Sequence, residues 1–108
     1  MNIGQIAKMA QQMQTQMAQA QDELKETTLE VTAGGGAVRI VITGAQEVRS
    51  VEIDPSAVDP DEVDMLQDLV MTAMNEAIAR SKELERERMG RIAGGMGLPG
   101  MPGLPGFG

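Results

Sequence analysis

The chain has 108 residues, with 16 acidic and nine basic side chains and a formal net charge of −7. It contains no cysteine and no histidine, so disulfides, thiolate metal sites and Ser/His or Cys/His nucleophile pairs are excluded. No apolar run approaches the roughly 18 residues that a membrane-spanning helix needs. We therefore expect a cytoplasmic protein that is not an enzyme, with no membrane partner, no small-molecule substrate and no cofactor.

The core must be built without aromatic side chains. Phe107 is the one aromatic residue, and ten methionines accompany the aliphatic residues. Methionine fills gaps without specifying tight packing, and a chain of this length is near the lower limit for burying its own core. The composition therefore favours an oligomer in which a second subunit supplies the missing burial.

The first predicted element is a helix over residues 3–26. Its apolar residues recur at alternating spacings of three and four, the a/d stripe of a heptad repeat. They are Ile3, Ile6, Ala10, Met13, Met17, Ala20 and Leu24. Two interpretations stay open: a helix packed on its own domain, or a helix that projects or pairs between subunits.

Three strands are predicted next, over residues 28–33, 37–43 and 48–53. Three glycines, Gly34 to Gly36, form the first turn; no Lys-Ser/Thr pair follows them, so a phosphate-binding loop is not indicated. Apolar residues lie on both faces of the second and third strands. One face is expected to meet the helices, and the other is a candidate subunit contact.

A second helix is predicted over residues 61–89. Asp59 is suited to the N-cap and Pro60 to the first helical position, while Gly90 is expected to end the helix. The nearby acids do not have the ligand spacing of a calcium loop, so no metal site is predicted. The domain is therefore taken as residues 1–91, and residues 92–108 as a disordered Gly/Pro/Met tail.

Basic residues concentrate at the end of the second helix, in spite of the overall negative charge. This helix carries Arg80, Lys82, Arg86, Arg88 and Arg91, and the first helix carries Lys8 and Lys25. Cations near a helix C-terminus offset the helix dipole and pair with acids three or four residues away, as Glu83 with Arg86 and Glu87 with Arg91. These roles within the helix are one interpretation of the basic residues, and contact with nucleic acid is the other. Without stacking aromatics, single-strand recognition is not expected.

Three segments resemble the YbaB/EbfC family of nucleoid-associated DNA-binding proteins. They are ITGAQEVRSVEIDPSAV from Ile42 to Val58, MLQDLVMTAMNEAIARSKE from Met65 to Glu83, and KMAQQMQTQMAQAQDEL from Lys8 to Leu24. The resemblance covers roughly residues 5–90. It implies an α+β fold of helix, three antiparallel strands and helix, assembled as a homodimer whose long helices project from a central sheet like the arms of tweezers.

The resemblance also implies a function: duplex DNA binding in the nucleoid, nucleoid organisation and effects on gene expression. On this basis the DNA contacts would be Lys8, Lys25, Arg80, Lys82, Arg86, Arg88 and Arg91, mainly to phosphates. An alternative hypothesis is a protein-interaction scaffold that uses the Met-rich first helix. Reversing the charge of Arg86, Arg88 and Arg91 would abolish DNA binding, whereas a scaffold would respond to changes at Met13 and Met17.

Overall fold

The fold is an elongated α+β arrangement of two helices and a three-stranded antiparallel sheet. In the computed structural model, which describes residues 2–95, the principal extents are 70 × 27 × 16 Å. The elements are α1 (Ile3–Glu26), β1 (Thr28–Ala33), β2 (Val38–Thr43), β3 (Val48–Ile53) and α2 (Val63–Gly95). The predicted fold class, with its helix–three strands–helix order, is confirmed.

Helix α1 packs on the domain most closely at its C-terminal end and projects at its N-terminal end. Its N-cap is Asn2, whose side-chain oxygen accepts a hydrogen bond from the Gln5 backbone N–H at 2.7 Å. Ala20 and Leu24 are buried, whereas the Ile3 side of the helix is exposed. The structure shows part of each interpretation, because the C-terminal end of α1 packs on its own domain and the N-terminal end projects.

The core lies between one face of the sheet and α2. The strand order is β1-β2-β3, so β2 is central, and Val38, Ile40 and Ile42 of β2 are fully buried. They pack with Val31 of β1 and with Ala73 and Ala77 of α2. The alternation of β2 and the four-residue spacing of the α2 alanines produce this contact, because each pattern places its apolar side chains on one face.

The opposite face of the sheet is polar. Arg39 lies at its centre, with its guanidinium 2.9 Å from the Glu52 carboxylate and 3.5 Å from that of Glu30. The hydrogen bond to Glu52 and the charge of Glu30 raise the pKa of Arg39 above its ordinary value. The sequence had suggested this face as a candidate subunit contact, but it offers only the half-buried Val41 in β2 as an apolar residue.

The glycine turn between β1 and β2 requires at least one of its glycines. Gly34 has a φ of +64°, and a Cβ atom there would lie 2.9 Å from the Leu69 Cδ1 atom. A side chain at this position would therefore be strained and would also collide with α2.

Helix α2 differs from its predicted bounds at both ends. Short 3₁₀ turns precede it, and the Asp59 carboxylate caps the second one by accepting from the Asp61 N–H at 2.9 Å. The α-helix proper therefore begins at Val63, and it continues through Gly90 to Gly95. A helical glycine costs only about 1 kcal/mol relative to alanine, which does not suffice to stop a helix whose neighbouring side chains are half-buried.

The expected boundary after residue 91 is therefore wrong, because residues 92–95 are helical. The rest of the predicted tail, residues 96–108, lies outside the described residues.

A single junction joins α1, the β2–β3 turn and α2. The Gly44 N–H donates to the carbonyl oxygens of Leu24 and Thr27, both at 2.9 Å. On the other side of the turn, the buried Ser81 hydroxyl donates to the Thr43 carbonyl at 2.6 Å and accepts from the Gln46 backbone N–H at 3.0 Å. These bonds fix the direction in which both helices leave the sheet.

Candidate nucleic-acid interface

The C-terminal half of α2, from Arg80 onward, carries all five of its basic residues, and two of them are paired with acids on the same helix. Arg80 lies 3.2 Å from the Glu76 carboxylate, and Arg91 lies 2.7 Å from that of Glu87. The sequence predicted the second of these pairs. The predicted pair between Glu83 and Arg86 does not form in residues 2–95.

Two further cations are tied to α1. Arg88 reaches across to Glu23 at 3.8 Å, and its side chain is 29% exposed. Lys25 lies 3.7 Å from Asp22 on α1, and its carbonyl accepts a hydrogen bond from the Arg49 guanidinium at 2.9 Å. Arg88 and Lys25 therefore lie where α1 meets the rest of the domain, and Arg88 links the two helices.

Three predicted contact residues remain without an ion pair in the described part of the chain: Lys8, Lys82 and Arg86. Lys82 and Arg86 are both exposed and are one helical turn apart, so they share a face. At 3.6 residues per turn they lie about 100° and 140° around the helix from the buried Ser81. They therefore point away from the sheet. Lys8 lies on the exposed part of α1.

The face that carries Lys82 and Arg86 continues toward the N-terminus of α2 with two apolar residues and one amide. Met71, Asn75, Ile78, Lys82 and Arg86 follow one another at spacings of three or four residues, which places them along one side of α2. The first of them, Met71, is 58% exposed.

At Met71 this side of α2 borders an open apolar groove of about 430 Å³ between β3 and α2, which we call the seam. Its lining consists of Ile53, Leu66, Gln67, Val70, Met71, Met74 and Asn75. The seam exists because α2 packs over β1 and β2 and leaves β3 uncovered.

Strand β3 is an open edge with apolar side chains. All six of its residues are exposed, among them Val48, Val51 and Ile53. An edge strand of this kind presents unpaired backbone groups beside uncovered apolar surface, which is the usual character of a surface that pairs with another chain.

Sequence reasoning did not identify the seam. It read Val51 and Ile53 as strand residues and placed Met71 on the second helix, but it could not show that α2 stops short of β3. The sequence did contain one indication of the seam: Met71 lies outside the apolar stripe by which α2 covers the sheet.

The acidic residues before α2 act as helix-cap and first-turn residues. Among residues 2–95, no group of three or more carboxylates is placed to hold a metal ion. No helix in that part of the chain is long and apolar enough to cross a membrane.

Comparison with known proteins agrees with the fold and with the predicted family. A profile of the YbaB/EbfC DNA-binding family matches residues 1–96. A nucleoid-associated protein of Chloroflexus aurantiacus is 49% identical over 96 residues, covering 89% of this chain and 96% of the relative. One from Ruminiclostridium cellulolyticum is 47% identical over 96 residues, covering 89% of this chain and 84% of the relative.

The same fold occurs in the crystal structure of an uncharacterised protein from Helicobacter pylori, with a TM-score of 0.72. That similarity covers 81% of this chain and 91% of the other at 23% sequence identity, so it concerns the fold alone.

The fold and the sequence matches together define a member of a nucleoid-associated class of DNA-binding proteins. The chain belongs to the YbaB/EbfC DNA-binding family.

Proposed function

We propose that this protein is a nucleoid-associated homodimer that clasps duplex DNA between projecting helices, organises the nucleoid and thereby affects gene expression. The observation that carries the proposal is the alignment of Lys82 and Arg86 with the seam on one side of α2. The names of the relatives, which are nucleoid-associated proteins, support the cellular location.

The seam is the proposed contact between the two subunits. Burying Val51, Ile53 and Met71, which are 44%, 39% and 58% exposed, would complete a core that a single chain leaves open. A two-fold dimer uses the same surface on both subunits. Because Lys82 and Arg86 lie on the seam side of α2, they would then face the partner's α2 across a cleft.

The structure suggests different roles for the seven candidate contacts. Lys8, Lys82 and Arg86, which have no ion pair within residues 2–95, are proposed as the principal phosphate ligands. Exposed ion pairs contribute only about 0–1 kcal/mol, so Arg80 and Arg91 could exchange their glutamates for phosphates as secondary contacts. Arg88 and Lys25 would act at the base of the arm, where Arg88 also fixes α1 against α2.

The proposed binding is directed at the DNA backbone. Residues 2–95 contain no aromatic side chain that could stack on a base, and the three principal ligands are flexible cations. Phosphate contacts set position and affinity without reading base edges. Any sequence preference would then come from the ease with which a duplex deforms to fit the cleft.

The dimer contact can be tested with two methionines on the same helix. Met71 and Met65 are almost equally exposed, at 58% and 59%, but only Met71 lines the seam. In analytical ultracentrifugation extrapolated to low protein concentration, we expect Met71→Glu to sediment as a monomer and Met65→Glu to remain a dimer.

In fluorescence anisotropy with a labelled random duplex, Met71→Glu should also bind more weakly than Met65→Glu, because a monomer offers only half of the cations. A Met71→Glu protein that remains dimeric at that low concentration, like Met65→Glu, would contradict the seam as the subunit contact. A dimeric wild-type protein that shows no duplex binding even at low salt would contradict the DNA-binding proposal itself.

A further inference from the structure

The projecting part of α1 carries an apolar stripe that residues 2–95 leave largely uncovered. We call Ile3, Ile6, Ala10, Met13 and Met17 the α1 stripe. Ile3 is 84% exposed, Ile6 52% and Met17 39%, while Met13 is half-buried. These are large apolar side chains in water, at the a and d positions of a heptad pattern.

Helix α2 does not reach the far end of the α1 stripe. Arg88 meets α1 at Glu23, and seven further residues, about 10 Å of helix, bring α2 to Gly95. From Glu23 to Ile3, α1 runs about 30 Å. Ile3 and Ile6 therefore lie beyond the contact between the two helices.

The charge pattern favours another copy of this chain as the partner. Although the chain has a net charge of −7, the stretch from Ile3 to Gln21 contains a single charged side chain, Lys8. With Ile3 at position a, Lys8 falls at position f and points away from a paired helix. The e and g positions in that stretch are Ala7, Met9, Gln14, Gln16 and Gln21. Charges at e and g normally select partners in coiled coils, and their absence leaves nothing to repel an identical helix.

We propose that the α1 stripes of two copies pair as a short antiparallel coiled coil, with Ile6 of one copy opposite Met17 of the other. The antiparallel direction follows from charge, because it holds the two acidic domains at opposite ends of the pair. A parallel pair would place them side by side, where like charges repel. Lys8 remains free on the outside of the pair.

This pairing is separate from the seam and does not depend on DNA binding. A dimer joined at the seam would carry two α1 stripes and could therefore link to further dimers. The product would be a tetramer or a longer chain, able to connect separate DNA segments. If the seam did not join subunits, the same α1 pairing would convert monomers into dimers. The two contacts are then distinguished by variants, because the Ile6→Gln/Met17→Gln variant removes the α1 pairing and Met71→Glu does not.

Sedimentation equilibrium over a range of concentrations tests the pairing without changing the charge. We expect the wild-type mass to rise with concentration, and the Ile6→Gln/Met17→Gln variant to associate at least tenfold more weakly. Both side chains are exposed and glutamine is helix-compatible, so the variant should retain its circular dichroism spectrum. A control that replaces Val58 and Met65, exposed by 54% and 59%, with glutamine should behave as the wild type does.

Equal association of the variant and the wild type would overturn the proposal. A wild-type mass that stays constant with concentration would also overturn it. In that case the α1 stripe would be a contact for residues 96–108 or for another protein.

The absence of cysteine allows a direct test of the geometry. In an Ile6→Cys/Met17→Cys variant, the two thiols of one chain are 11 residues apart, about 16 Å along the helix. That separation exceeds the Cα distance of a disulfide, roughly 4.4–6.8 Å, so any disulfide joins two copies. Mild oxidation should yield a covalent dimer with a 6–17 linkage by peptide mapping.

A Gln5→Cys/Gln12→Cys variant is the control for random collision, because both residues lie at the outward c position. Cross-linking of the control to the same extent would overturn the proposed pairing, and 6–6 and 17–17 linkages would overturn its antiparallel direction.

Discussion

Removing the two seam-side cations of α2 should change the salt dependence of DNA binding more than removing two other cations from the same helix. The variant is Lys82→Gln/Arg86→Gln, and the matched control is Arg80→Gln/Arg91→Gln. Each double variant lowers the net charge by two per chain on one helix. They differ in that Arg80 and Arg91 are paired with glutamates, whereas Lys82 and Arg86 are not paired in residues 2–95.

The magnitude follows from counterion release. If Lys8, Lys82 and Arg86 each contact one phosphate, a dimer makes about six contacts, and log K falls against log salt with a slope of about −5.4. Affinity would then fall about 2,000-fold between 50 and 200 mM salt. With only the two copies of Lys8 left, the slope would be about −1.8 and the fall about 12-fold.

The measurement is fluorescence anisotropy of a labelled random duplex at four or more salt concentrations, for the wild type and both double variants. The Arg80→Gln/Arg91→Gln control should keep a slope near that of the wild type. Ultracentrifugation of each variant checks that the proposed dimer persists. Equal losses of slope in the two variants would refute the reasoning, since binding would then follow total charge and not the position of the cations on α2.

Three further predictions concern the junction and the turn before α2. Gly44→Ala should destabilise the fold by about 1–3 kcal/mol, because its Cβ would lie 2.6 Å from the Leu24 Cδ2 atom in a packed site. Ser81→Ala should destabilise it by about 1–3 kcal/mol, because it leaves buried groups at the Gln46 turn without their hydroxyl partner. Asp54→Asn should alter acid stability, because hydrogen bonds from the Ser56 backbone and hydroxyl lower the pKa of the Asp54 carboxyl.

Urea unfolding followed by circular dichroism measures all three. The lowered pKa of Asp54 means that its contribution is complete above the ordinary value of 3.8 and is lost as the pH falls through the lower folded value. The stability difference between wild type and Asp54→Asn should therefore be constant near neutral pH and shrink only in acid. A difference that disappears above that range would contradict this assignment. Unchanged urea midpoints for Gly44→Ala or Ser81→Ala would show that the junction tolerates rearrangement.

Local patterns in the sequence determined most of the elements. The heptad spacing in residues 3–26 and the alternation in β2 predicted a helix and a strand that the structure places at nearly the same bounds. Asp59 and Pro60 located the start of the second helix to within a few residues. These features are local, because the period of apolar side chains and the chemistry of helix caps depend on neighbours in the chain. The family resemblance was likewise carried by contiguous segments.

The end of α2 was not decidable in this way. Gly90 is a common stop signal, yet the helix passes through it. The flanking residues Met89 and Ile92 are half-buried, and their packing outweighs the glycine preference of about 1 kcal/mol. A local propensity of that size cannot reveal whether tertiary contacts will override it.

The candidate interface, too, was predictable from the sequence only in part. The sequence identified seven basic residues, but only the fold distinguishes Arg88, held by Glu23 of α1, from Lys82 and Arg86, which point away from the sheet. It also aligns those two residues with the seam, whose walls come from β3 and α2. Composition and periodicity determined which side chains are present and which face of each element they occupy. Their neighbours across the chain, and hence which cations are free and which apolar surface stays open, were decided by how α2 crosses the sheet.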